Sequence, residues 1–144
     1  MKILIGILAI LSFSGAAWAG NFTDNQNGTV TDNVTGLMWQ QQDDGTTRLW
    51  DAAISYCEGL SLAGHENWRL PNIKELESIT DDSLDIPAID TTAFPSTVAS
   101  DYWSSTTHAF NSNFAWFVGF GIGYVGYLDK NNNTLYARCV RGGQ

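Results

Sequence analysis

Positive charge is scarce in this sequence. Seven Lys and Arg stand against fifteen Asp and Glu in 144 residues, a formal net charge of −8. Nucleic-acid binding draws affinity from cations that displace the counterions of a phosphate backbone, and this chain has no basic stripe to do so. Anionic membranes and highly sulfated polymers are disfavoured by the same deficit. Histidine and cysteine are rare as well, two of each. Four such residues at these spacings do not make a credible metal site. Neither a Gly-x-Ser-x-Gly elbow nor a His-Glu-x-x-His zinc helix occurs. His65 beside Glu66, and His108 after the hydroxyl run at 104–107, are the candidate bases. Each reads better as a loop or surface residue, so the chain is expected to be no enzyme and to need no cofactor.

Beyond residue 19 no apolar run is long enough to cross a bilayer. A shorter apolar run opens the chain. Lys2 precedes an uncharged stretch over residues 3–16, and Ala17-Trp18-Ala19 places small residues on either side of a larger one, as signal peptidase requires. Residues 1–19 therefore read as a signal peptide and residues 20–144 as one domain. An uncleaved anchor is the alternative, but the run is shorter than the roughly 20 residues of a spanning helix. The expected product is exported, whether periplasmic, secreted or at the cell surface, with no stable membrane insertion once the signal is removed. In an oxidising compartment Cys57 and Cys139 are most simply a disulfide, two free thiols being the alternative. So long a closed loop is worth about 4.5 kcal/mol in the chain-entropy treatment, before strain and residual structure are deducted.

The turn signals Asn27-Gly28 and Thr35-Gly36, set between β-branched residues, predict a meander of short strands over residues 21–39. Asp24, Asn27 and Asp32 have the composition of a calcium loop, without the alternation and terminal Glu of an EF-hand. Trp50, Ala53, Ile54 and Cys57 then recur at helical spacing and predict an amphipathic helix over 48–60. A second helix is expected from Asn72 as N-cap with Glu75 three positions on, burying Ile73, Leu76 and Ile79. Asp81, Asp82, Asp85 and Asp90 read as a solvated acidic loop. In the last third, Trp116, Val118, Phe120 and Ile122 alternate with Phe117, Gly119, Gly121 and Gly123, which predicts a strand with the first set facing inward. A β run at 135–141 returns Cys139 to the first helix. The expected fold class is a single α+β domain with two helices in the first half, antiparallel strands and long loops in the second, and one disulfide.

Trp39, Trp50, Trp68, Trp103 and Trp116 sit in apolar patterns and are expected in the core. Phe114, Phe117, Tyr124 and Tyr127 lie instead among Asn and Gly. Rigid rings interspersed with amides are the mixture used in recognition surfaces, the alternative being that the rings complete the core. The expected site lies within residues 111–133: Phe114, Phe117, Tyr124 and Tyr127 stack on the ligand, Gly121 lets it approach the backbone, and Asn111, Asn113 and Asn131 supply amides at the rim. The expected function is a non-enzymatic binding or adhesion module for a glycan or a surface protein. A secreted structural or assembly subunit, and a hydrolase or modifying enzyme on the same scaffold, are the alternatives. Self-association into a homo-oligomer is compatible with the sequence.

Seven stretches carry a further resemblance: Phe22-Thr-Asp-Asn-Gln-Asn-Gly-Thr-Val-Thr-Asp32, Thr35-Gly-Leu-Met-Trp39, Tyr56-Cys57, Trp68-Arg-Leu-Pro71 with Glu75-Leu76, Tyr102-Trp-Ser-Ser-Thr106, Ala115-Trp116 and Arg138-Cys-Val-Arg141. In this order, and over nearly all of the chain after residue 19, they resemble the Lcl C-terminal domain family, named for the end domain of a collagen-like adhesin of Legionella. The resemblance implies a C-type-lectin-like fold, in which a cysteine of the first helix bonds to one of the last strand. Cys57 and Cys139 match those two positions. The lectin calcium motifs Glu-Pro-Asn and Trp-Asn-Asp are absent, so calcium-dependent sugar binding does not carry over. The acidic charge argues against carrying over the sulfated glycans that the adhesin binds.

Overall fold

The computed structural model describes residues 21–143, so the signal-peptide reading of residues 1–19 lies outside the described residues. The element order is β1 (Phe22–Asp24), β2 (Thr29–Asp32), β3 (Met38–Gln40), α1 (Trp50–Glu58), α2 (Ile73–Ser78), β4 (Asp101–Thr107), β5 (Phe114–Gly119), β6 (Tyr124–Asp129) and β7 (Val140–Arg141). The strands form two antiparallel sheets, β1-β2-β3-β7 and β4-β5-β6. This is the α+β class expected.

Turn chemistry builds the first sheet. Gly28 and Gly36 adopt φ of 85° and 75°, a region costly for other residues. Asp24 Oδ1 accepts the Gln26 N–H at 2.7 Å, Asn27 Oδ1 the Thr29 N–H at 3.2 Å and Asp32 Oδ1 the Val34 N–H at 2.8 Å. The residues with calcium-loop composition are therefore engaged in closing turns.

Helix α1 is shorter at both ends than its periodicity suggests. Arg48 is held outside it by a two-way backbone bridge to Leu135, at 2.8 and 3.0 Å, and the helix stops at Gly59. Its buried stripe is Ala53 and Cys57, and Cys57 is joined to Cys139. Helix α2 carries the expected capping box: Asn72 Oδ1 accepts the Glu75 N–H at 2.8 Å, and Glu75 Oε1 accepts the Asn72 N–H at 2.9 Å. The same carboxylate receives both forks of Arg69 at 2.7 Å. That pairing explains the Trp68-Arg69-Leu70 alternation, in which Trp68 and Leu70 are buried while Arg69 turns to the helix N-terminus.

Residues 135–140 lock the sheets together. Tyr136 bridges to Tyr102 of β4, and its carbonyl accepts the Trp103 N–H at 2.9 Å, while Val140 pairs with Trp39 of β3. Between them Arg138 is fully buried, over the Phe94 ring. Its guanidinium donates to the Gln40 carbonyl at 2.8 Å, Thr97 Oγ1 at 2.8 Å and Asp43 Oδ2 at 3.2 Å, and Tyr102 Oη donates to the same Asp43 oxygen at 2.6 Å. Burial pushes Arg138 below the usual guanidinium range, opposed by Tyr102 and Asp43, and pushes the Tyr102 phenol above its ordinary value. A buried charge with this many partners is a structural clasp, and removing one partner would strand the rest.

The β4-β5 pair separates two cores. Tyr102 and Val118, opposite one another in register, face a core made with Val30, Leu37, Trp39, Leu76, Ile89, Phe94 and Phe120. Their neighbours Trp103 and Phe117 face the other way, into a core made with Ala53, Cys57, Trp68, Leu70 and Cys139. This arrangement corrects two expectations. Phe117, expected on an open face, is only 5 % exposed, because α1 and the disulfide cover the side that the glycine pattern suggested was bare. Ile122, expected inward, is 70 % exposed, because the strand ends at Gly119 and Ile122 sits in the turn before β6.

Candidate functional site

The expected site residues divide between two faces and two ends of the β4-β5-β6 sheet. Successive side chains on a strand alternate faces, so residues three apart oppose each other. Phe114 and Phe117 are therefore on opposite sides of β5, and Tyr124 and Tyr127 on opposite sides of β6. Tyr124 lies over Gly119, where a Cβ would come within 2.2 Å of its ring, and donates from Oη to Asp101 Oδ1 at 2.9 Å. Partial burial, followed by that hydrogen bond, raises its phenol above the usual value. Its ring stands perpendicular to Phe117, 5.6 Å away. Gly126 makes room for Phe117 in the same way, since a Cβ there would fall 2.7 Å from Phe117 Cζ. Of the glycines expected to leave a shallow face, Gly119 is instead filled by the Tyr124 ring, and Phe117 is buried, so Tyr124, 45 % exposed, shares no open surface with it. Gly121 lies in the turn before β6, a strand itself about 17 Å long at the usual rise per residue, and so at the end opposite Asp129.

At that other end the remaining residues do converge. The loop from His108 to Asn113 is closed by the His108 N–H to the Phe114 carbonyl at 2.8 Å, the Phe114 N–H to the Asn111 carbonyl at 3.1 Å, and the Asn113 N–H to Asn111 Oδ1 at 3.0 Å. The Lys130 N–H joins it to the end of β6 through the Asn113 carbonyl at 2.9 Å, and Asn131 is turned back by Asp129 Oδ1 at 2.8 Å. Asn111, Asn113 and Asn131 are thus exposed neighbours of one another, as expected for a rim.

Register then sets the rings. Trp116 faces Tyr127 across β5-β6, their centroids 5.3 Å apart and their planes nearly perpendicular. Phe114 stands perpendicular to Tyr127 at 6.0 Å, and the His108 ring lies 4.3 Å from Tyr127 and 5.2 Å from Trp116. Phe110 is 96 % exposed at the loop tip, 6.0 Å from His108, and Tyr127 is 50 % exposed. Five rings therefore form a solvent-facing cluster on the face that, farther along the strands, belongs to the Tyr102–Val118 core. Trp116, expected in the core, is only half-buried because that core ends before reaching it. Trp50 is half-buried too, packed at the margin of the second core, with Lys130 Nζ 3.8 Å above its ring.

The family model of the Lcl C-terminal domain matches residues 28–141. The chain belongs to the Lcl C-terminal domain family. None of the curated proteins compared with it matches. Several residues of the family-like stretches now have structural roles in this Lcl domain: Arg69 and Glu75 fasten α2, Arg138 clasps the β3–α1 loop, and Trp39 and Trp103 fill the cores. Trp116, in the Ala115-Trp116 stretch, belongs to the exposed cluster.

Sequence reasoning missed His108, Phe110 and Trp116 as members of this cluster. A legible signal existed for Phe110, an aromatic in a polar turn with no apolar partner at strand spacing. None existed for Trp116, whose neighbours alternate like those of any core strand. Other candidate chemistry disperses. His65 spends its backbone on a two-way bridge to Leu62, and its carbonyl accepts Trp68 Nε1–H at 3.1 Å. Asp81, Asp82 and Asp90 line a cleft of about 340 Å³, yet Asp81 Oδ1 accepts the Ser83 N–H and Asp90 Oδ1 the Thr92 N–H, both at 2.9 Å.

Proposed function

We propose that this Lcl C-terminal domain is a non-enzymatic adhesion module of an exported protein, which holds its ligand on the aromatic cluster of residues 108–127. The observation that carries the reading is the exposure of rings that the fold holds in place. Phe110 and Tyr127 remain open to solvent beside two closed cores, and ordered aromatic surface of this kind offers large contact area at little entropic cost. Asn111, Asn113 and Asn131 add adaptable hydrogen bonds at the edge. The disulfide supports export, because such bonds persist in oxidising compartments.

A capture assay on a panel of glycans and surface proteins tests it. Phe110→Ala and Tyr127→Ala are each expected to weaken capture about tenfold while the melting temperature stays within a few degrees. Ile122→Ser, an exposed apolar change in the turn before β6, is the control and is expected to leave capture intact. If neither aromatic substitution weakens capture, the ligand sits elsewhere.

A further inference from the structure

Resting on that binding reading, we infer that the ligand of this surface is an uncharged sugar, stacked on Tyr127 and hydrogen-bonded by the amides of the 108–113 and 130–133 loops. The first argument is geometric. Phe114 and Trp116 stand perpendicular to Tyr127 and hold its ring in place, while half of the residue stays open. A fixed, half-open ring suits the flat C–H face of a pyranose, which stacks on aromatic surface without needing an enclosing pocket.

Charge supplies the second argument. Lys130, the nearby cation, is directed to Thr107 Oγ1 at 2.8 Å and lies over Trp50. Asp129 accepts the Asn131 N–H through Oδ1. His108 Nδ1 accepts the Phe110 N–H at 3.3 Å, so a neutral ring carries its proton on Nε2 and presents a donor. Among the described residues the surface thus offers amides, an imidazole and rings, and its single lysine is turned toward Thr107 and Trp50, in a chain of net charge −8. Hydroxyl groups satisfy such donors and acceptors without the desolvation cost of an ion.

Isothermal titration of the purified protein with neutral oligosaccharides of glucose, galactose, mannose and N-acetylglucosamine, alongside heparin and poly-lysine, tests the inference. At least one neutral sugar is expected to bind, with an affinity that changes less than about twofold between low and high salt, since no ion pair is screened. Phe110→Ala and Tyr127→Ala are expected to weaken it about tenfold, one lost stacking contact each, and Tyr127→Trp to preserve it. Phe110 is too exposed for its loss to act through folding. Binding of heparin or poly-lysine alone, abolished by salt, would overturn the uncharged-sugar inference while leaving the aromatic surface as the site. Failure of every neutral sugar to bind would overturn it as well. Sugar binding indifferent to both aromatic substitutions would overturn the surface itself.

Discussion

Phe117 and Tyr127 belong to adjacent strands of one sheet and look alike in the sequence, both being rings among glycines, yet one is core and the other surface. The difference lies in what covers each face. Phe117 belongs to the core built with Ala53 and Cys57 of α1 and with Cys139, Tyr124 stands against its ring, and Gly126 admits it. Over Tyr127 no described element is packed beyond its aromatic neighbours, because the first core stops at Val118 and Phe120. Local composition is thus a poor guide to which ring is free. Aromatic clusters of similar make-up become core or exposed surface according to the third layer above them.

The sharpest way to break this contrast is to truncate both rings. Phe117→Ala is expected to cost about 4 kcal/mol, the loss of a buried ring plus the cavity it leaves, read by denaturant unfolding. Tyr127→Ala should cost far less. Equal losses would show that the exposed cluster is structural after all. Cys57→Ser comes next, at about 3 kcal/mol, and should be matched by Cys139→Ser, since either opens the same loop. Because the bond covers the Phe117 face alone, ligand capture by the protein that remains folded should persist.

Gly126→Val tests the close approach. Its Cβ would lie 2.7 Å from the Phe117 ring, so a loss of about 2 kcal/mol is expected, and Phe117→Leu in the same chain should recover part of it. Additivity of the two substitutions would refute the contact.

The smallest expected effect lies away from both rings, at the N-terminus of α2. Burial works against ionisation of Glu75, but the forked bond from Arg69 and the Asn72 N–H outweigh it and hold its carboxyl below the usual range. A depressed pKa means stability that is present above the unfolded value, near 4.3, and lost as the pH falls through the folded value. Glu75→Gln should therefore cost about 1 kcal/mol at neutral pH. The deficit should shrink on acidification, and a pH-independent deficit would assign the effect to packing.

Much of the framework was legible before the structure. Asn72 and Glu75 announced a helix start because capping is a local bargain between side chains and orphan backbone donors. Asn27-Gly28 and Thr35-Gly36 announced the meander because few residues tolerate the backbone angles of tight turns. Cys57 on a helical stripe pointed inward, toward a partner that the bond to Cys139 confirms. The candidate surface was half legible as a grouping of residues. Asn111, Asn113, Phe114, Tyr127 and Asn131 do meet at one end of the sheet, whereas Phe117, Gly121 and Tyr124 do not.

What failed was the assumption that a strand alternating between apolar residues and glycine has one wet face. Period-two patterning reports which residues share a side, and that held: Trp116 and Val118 do lie opposite Phe117 and Gly119. It is silent on how many sides another layer covers, and on where along a strand the cover ends. The sequence by itself determined the short-range features, turns, caps, helix stripes and strand parity, because their energetics are settled within a few residues. The tertiary structure alone decided that α1 and Cys139 close one face over Phe117 and that the opposite core runs out before Trp116 and Tyr127. Burial depends on residues distant in the chain, and no local pattern encodes their arrival.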